Sequence, residues 1–132
     1  MAAAMATGSL DAYYVGEPFA ASTLKSGDAT LVHYVEDVWD GFICNLVLVR
    51  QDLIDQEPAA VKALVNGAAR SGLWAQNNPK QAAEIASKYW HQSVDMIEYA
   101  MSTPNDRIKF DKFVPDAEEM QYMADLMQHF GL

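Results

Sequence analysis

Residues Asp11–Lys25 read DAYYVGEPFAASTLK, and this stretch decides the predicted fold. Its first part, Asp11–Val15, is aromatic and β-branched, which is typical of a short strand. Pro18 is tolerated at the first position of a helix, and the helix-permissive residues that follow it run as far as the stop signal at Gly27. The stretch therefore predicts a strand, a tight corner at Glu17 and a short helix.

Two further stretches predict strands before the pattern becomes helical. Ala29–Val35 reads ATLVHYV, and Ile43–Arg50 reads ICNLVLVR, which is nearly continuously apolar, as in a strand covered on both faces. From Asp52 onward, apolar residues recur at spacings of three and four, which favours helices. The predicted helices run from Glu57-Pro58 to about Asn77, from Asn78-Pro79 to Trp90, from a Ser93 cap to Thr103-Pro104, and from an Asp116 cap to Gly131.

The order of these elements predicts an α/β fold. A strand, a helix and two more strands, followed by a run of helices, indicate a small mixed or parallel sheet packed with several helices. Three strands are few for a complete doubly wound domain, so the sheet keeps an unpaired edge. Such an edge predicts a homo-oligomer, in which another copy covers it.

Three motifs resemble a known family when they are taken in chain order. They are DAYYVGEPFAAS at Asp11–Ser22, VLVRQDLIDQEPAAVKALVNG at Val47–Gly67 and NNPKQAAEIASKYW at Asn77–Trp90. Together they resemble the type II periplasmic-binding-protein family, the two-lobed solute-binding proteins that serve ABC importers of nitrate, bicarbonate, sulfonates and taurine. In that family, a strand ending in Asp-Ala leads to a Gly-Glu-Pro-aromatic corner.

The resemblance implies a function in transport. It predicts the substrate-capture component of an ABC importer for a small solute such as nitrate, a sulfonate or taurine, with an ABC permease as its partner in the full-length context. Members of the family are much longer, so residues 10–132 are expected to be a C-terminal fragment: one α/β domain that forms a partial periplasmic-binding-protein-like lobe. The full-length parent is expected in the periplasm or another extracytoplasmic compartment.

Residues 1–9, MAAAMATGS, are expected to be a disordered, vector-like leader. They have neither the positively charged region nor the apolar region of a secretory signal peptide, so this chain is expected to carry no such signal.

The resemblance also predicts where a ligand binds. In related proteins the strand-to-helix corner faces the cleft, which makes Glu17, Pro18 and Phe19 candidate ligand-wall residues. The alternative for Glu17 is that its charge stabilises the positive end of the following helix. Trp39 lies in the acidic connector EDVWDGF and is a candidate for the cleft rim, because tryptophan offers contact area and an N–H donor. The alternative for Trp39 is simple packing against the lobe.

Composition and motifs limit the other classes of function. The chain has 18 acidic and nine basic residues, and its net charge of −9 disfavours nucleic acid, whose phosphates require Lys and Arg. The three histidines and Cys44 lack the close spacing of a zinc site, so no metal and no cofactor is expected. Neither a nucleophile elbow nor a phosphate-binding glycine loop occurs, so the chain is not expected to be an enzyme.

Two alternatives to solute capture remain open. One is an enzyme similar to the pyrimidine synthases of thiamine biosynthesis, which share the two-lobed architecture and would require a histidine in the cleft. The other is a structural or sensory interaction domain that binds no solute.

Overall fold

The structure, a computed structural model, describes residues 1–39 and 42–132. Helices account for 59% of it, and the described residues form no strand. The helices of the described part are α1 Ala2–Ala6, α2 Phe19–Ser26, α3 Val35–Val38, α4 Gln51–Gln56, α5 Pro58–Asn77, α6 Pro79–Trp90, α7 Val94–Ser102 and α8 Ala117–His129.

The predicted α/β fold is therefore wrong for the described residues. No small mixed or parallel sheet is present there, so the partial periplasmic-binding-protein-like lobe lacks its defining layer. The three predicted strands, Asp11–Val15, Ala29–Val35 and Ile43–Arg50, have no strand structure, and Val35 begins α3. The physical reason is that β-branched and aromatic residues favour a strand only where a second strand completes the hydrogen-bonded ladder.

The predicted helix boundaries are largely confirmed. α5 runs from Pro58 to Asn77, and α6 begins at Pro79, where the missing N–H of proline costs no intrahelical hydrogen bond. The side chain of Asn78 does not cap α6. Its Nδ2 instead donates to the backbone oxygen of Trp74, at 2.8 Å, near the end of α5.

The predicted caps of three other helices are also present. α2 is followed by Gly27 with φ of +82°, a left-handed conformation that glycine adopts without a Cβ penalty. The hydroxyl of Ser93 accepts a hydrogen bond from the Met96 N–H at 3.3 Å and caps α7. The carboxylate of Asp116 accepts from the Glu118 N–H at 2.8 Å and caps α8.

The chain divides into two compact units. Unit 1 comprises Met1–Val32 and Trp74–Lys109, and unit 2 comprises His33–Leu73 and Phe110–Leu132.

Unit 1 contains a small hydrophobic core. Helix α7 packs against α6 and also against α2. The side chains in contact are short, which lets helices approach closely, and Ile97, 1% exposed, supplies the largest buried aliphatic group. The buried apolar residues are Pro18, Ala21, Ala82, Ala83, Ile97 and Ala100.

Unit 2 has no comparable core. None of its described residues is buried, although it includes most of the 20-residue helix α5. One close approach fixes α5 locally: a Cβ added to Gly72 would lie 2.9 Å from the Cβ of Phe110. Unit 2 therefore holds a local contact at Gly72 without the buried apolar side chains that stabilise unit 1.

Candidate functional site

The predicted corner at Glu17 is built around an ion pair. Arg107 Nη2 donates to Glu17 Oε1 at 2.6 Å, and the two side chains are 13% and 19% exposed. The second oxygen, Oε2, accepts a hydrogen bond from the Ala21 N–H at 2.9 Å, in the first turn of α2. The carboxylate thus joins the start of α2 to a residue 90 positions away in the sequence, as charge-assisted hydrogen bonds do well.

The neighbours of Glu17 differ in accessibility. The side chain of Pro18 is fully buried, whereas Phe19 is 48% exposed. We call these three residues, with Arg107, the Glu17 corner. Both Glu17 oxygens are engaged within the chain, so of the three predicted ligand-wall residues Phe19 offers the largest free surface. Ligand contact at this corner stays a prediction, and the hydrogen bond to Ala21 is the geometry expected of the helix-stabilising alternative.

Trp39 lies in unit 2, at the end of the short helix α3. The backbone N–H of Trp39 donates to the Val35 backbone oxygen at 2.9 Å, which fixes the backbone at the end of α3. Two rings meet it edge-on: the ring centroid of Phe42 lies 5.4 Å away, and that of Tyr122 lies 5.3 Å away. These are the separations and orientations that aromatic pairs prefer, so the indole is held in one place.

Helix α8 completes the surroundings of Trp39. The Asp116 cap fixes the first turn of α8, where Glu118 and Glu119 follow. Lys112 Nζ donates to Glu119 Oε1 at 2.8 Å, so one of these two carboxylates is paired. The result is an open depression of about 420 Å³, the Trp39 depression, lined by Val38, Trp39, Glu118, Glu119 and Tyr122.

The lining of the Trp39 depression suits a positively charged group. Two aromatic rings attract a cation through their faces, and the Glu118 carboxylate can accept charge-assisted hydrogen bonds. The described residues that line it include no Lys or Arg, although Lys112 pairs with the carboxylate of Glu119. An anion placed beside Glu118 therefore meets like charge. An ammonium group is therefore the ligand chemistry that this lining favours.

The sequence predicts Trp39 but not its partners. Glu118 and Glu119 look like ordinary first-turn acids of a capped helix, and Tyr122 falls beside the apolar stripe of α8. No local signal joins them to a residue about 80 positions earlier, because that contact depends on tertiary packing. The sequence also does not predict the role of Arg107. Its segment shows no regular pattern, and its contact with Glu17 depends on tertiary packing.

Other candidate chemistry is not assembled in the described residues. Cys44 and His33 are exposed, and no group of three or more His, Cys, Asp or Glu within residues 1–39 and 42–132 is arranged to hold a metal ion. None of the helices in these two ranges is long and apolar enough to cross a membrane.

Comparison with known proteins identifies the family. A model of the NMT1-like family matches residues 1–89. This range includes Glu17, Trp39, the first two motifs that carry the resemblance and all but the last residue of the third. No match was found among curated proteins or among solved structures. The family match is consistent with the nitrate/sulfonate/taurine type of solute-binding protein. The chain therefore belongs to the NMT1-like family, whose members are periplasmic-binding-protein-like solute-binding proteins.

Proposed function

We propose that this chain is the solute-capture component of an ABC importer and that it delivers its solute to a permease from outside the cytoplasm. Family membership over residues 1–89 is the observation that supports this function. Capture requires a concave surface with a few polar groups that orient the ligand, and the Trp39 depression has these features. The proposal includes no catalytic step.

Taurine is the solute that the Trp39 depression favours over nitrate and simple sulfonates. Its ammonium group suits the rings of Trp39 and Tyr122 and the carboxylate of Glu118. Nitrate carries only negative charge, which the Glu118 carboxylate at the depression repels. The sulfonate of taurine points outward in this arrangement, away from the glutamates.

Isothermal titration calorimetry with the full chain tests the proposal. Taurine should bind, whereas nitrate and ethanesulfonate, which lacks the ammonium group, should bind more weakly. Replacing Trp39 with Ala should weaken taurine binding about tenfold, or about 1.4 kcal/mol, as loss of an aromatic contact to a cation does. Glu118→Gln should weaken taurine binding, whereas the binding of ethanesulfonate should stay the same or become stronger because a repelling charge is lost.

Two matched variants separate the two candidate sites. Trp90→Ala removes a half-exposed tryptophan at the end of α6 and should leave taurine affinity unchanged. Phe19→Ala tests the Glu17 corner. A loss of binding with Phe19→Ala but not with Trp39→Ala would move the site to that corner, and no heat with any of the three solutes would count against solute capture.

A further inference from the structure

Lys112 brings a positive charge to the edge of the Trp39 depression. Its Nζ donates to Glu119 Oε1 at 2.8 Å, and Glu119 is one of the residues that line the depression. The other lining carboxylate, Glu118, forms no ion pair within residues 1–39 and 42–132. The lining therefore combines one carboxylate that lies beside a cation with one carboxylate that lacks such a partner.

The position of Lys112 is fixed on both sides along the chain. Just before it, Phe110 lies so close to α5 that a Cβ added to Gly72 would come within 2.9 Å of the Phe110 Cβ. Just after it, the side chain of Asp116 caps α8. The backbone that carries Lys112 thus runs between two fixed points, which holds its ammonium group beside the first turn of α8.

The exposure of the Lys112–Glu119 pair argues against a purely stabilising role. The Lys112 side chain is 63% exposed, and the Glu119 side chain is 26% exposed. An ion pair whose ammonium group lies in this much solvent contributes little to the free energy of folding. Its charge still acts on a ligand within about 8 Å, the screening length at physiological salt. The pair therefore matters more for the ligand than for stability.

The charge at the second end of a ligand is the property that Lys112 can distinguish. Taurine and a short diamine both offer an ammonium group to the aromatic rings of the depression. They differ at the other end, where taurine carries a sulfonate and the diamine carries a second ammonium group. The ammonium of Lys112 offsets the repulsion between the sulfonate and the two glutamates, Glu118 and Glu119, and it repels the second ammonium of a diamine. Without this lysine, two carboxylates would favour the diamine.

We propose that Lys112 is a specificity-determining residue of the Trp39 depression, which sets the preference for a zwitterionic amine over a diamine by offsetting the charge of Glu119. This inference rests on the proposed function, because it requires that the solute binds in the depression. Lys112 acts through its charge and needs no direct contact with the solute. Loss of the Lys112 charge and loss of the Glu119 charge should therefore change the preference in opposite directions.

A double-mutant cycle in the full chain tests this inference, with isothermal titration calorimetry against taurine and against putrescine, a short diamine. Lys112→Met keeps an unbranched side chain without the charge, and it should shift the ratio of taurine affinity to putrescine affinity about fivefold towards putrescine, as expected for one charge in largely solvated surroundings. Glu119→Gln should shift the ratio towards taurine. The double variant should lie near the unaltered chain, because the two lost charges are opposite and adjacent.

Two control variants separate local charge from net charge and from side-chain shape. Lys62→Met removes the same charge from an exposed lysine of α5 that is not among the residues lining the depression, and it should leave the affinity ratio unchanged. Lys112→Arg keeps the charge and should keep the ratio close to that of the unaltered chain. An equal shift with Lys62→Met and Lys112→Met would overturn the inference, since net charge alone would then account for it.

The remaining outcomes distinguish this inference from the proposed function. An unchanged ratio in Lys112→Met, with taurine still bound, would overturn the inference and leave solute capture intact. If the unaltered chain binds putrescine but not taurine, taurine capture fails, whereas the inference still requires Lys112→Met to strengthen putrescine binding. Binding of neither solute would overturn both.

Discussion

At the scale of single residues, both carboxylate oxygens of Glu17 accept hydrogen bonds. One oxygen accepts from Arg107 and the other from the first turn of α2. A carboxylate in this position stabilises the helix start and offsets the charge of a guanidinium that is only 13% exposed. The structural role of Glu17 therefore stands on observed contacts, whereas its role in ligand binding stays a prediction.

Glu17→Gln should destabilise the chain by about 1–3 kcal/mol, because it removes the carboxylate charge that pairs with the largely buried Arg107. Urea unfolding followed by circular dichroism gives the free energy of unfolding. Taurine affinity should not change in this variant if the ligand lies in the Trp39 depression.

The exposed ion pair of Arg50 and Asp52 is the matched control for the largely buried pair of Glu17 and Arg107. Their side chains are 82% and 50% exposed, and the Arg50 guanidinium lowers the pKa of Asp52 below its ordinary value. Because that pKa is lowered, the pair stabilises the chain above the ordinary Asp pKa, and the effect is lost as pH falls through the lower value. Solvent screening keeps the effect small, so Asp52→Asn should change stability less than Glu17→Gln at neutral pH. Equal losses from the two variants would show that burial of the Glu17–Arg107 pair is unimportant.

The candidate site could be predicted only in part. Trp39 stands out because an aromatic residue in an acidic connector is unusual, and the structure places it in a depression with three aromatic or acidic neighbours from α8. Those neighbours could not be found from sequence. Glu118 and Tyr122 have local explanations as a first-turn acid and a helix-surface residue, and only tertiary contact gives them a second role.

At the scale of elements, the helices were predictable and the strands were not. Pro58, Ser93 and Asp116 are stop or start signals that act within a few residues, so the sequence near them determines the helix boundary. A strand at Ile43–Arg50 needs hydrogen bonds from a second strand, and no residue of that run can supply them. The same local pattern is therefore compatible with an unpaired segment.

Two glycines of α5 give a prediction at this scale. A Cβ at Gly67 meets nothing within 4 Å, whereas a Cβ at Gly72 lies 2.9 Å from the Phe110 Cβ, which is anchored to the backbone and moves little. Gly67→Ala should stabilise the chain by up to about 1 kcal/mol through higher helix propensity. Gly72→Ala should lose this gain and destabilise the chain, because α5 and residue 110 must separate.

Thermal unfolding of the two alanine variants, each compared with the unaltered chain, measures the difference. Phe110→Ala serves as the control for the clash. In that background the Cβ of residue 110 remains but the ring is gone, so Gly72→Ala should become less harmful without matching Gly67→Ala. Equal effects of the two substitutions in the unaltered chain would show that the contact at Gly72 is absent in solution.

At the scale of the whole molecule, the two units differ in what holds each of them together. Unit 1 buries Ile97, Pro18 and four alanines, whereas no described residue of unit 2 is buried. Burial of apolar surface is the main favourable term in folding, so unit 2 depends more on local helix formation.

Hydrogen exchange should reveal this difference. Amides of α6 and α7 should exchange at least roughly tenfold more slowly than those of α8, because opening unit 1 exposes a buried core. Uniform exchange across both units would mean that unit 2 is as stable as unit 1 without a buried core.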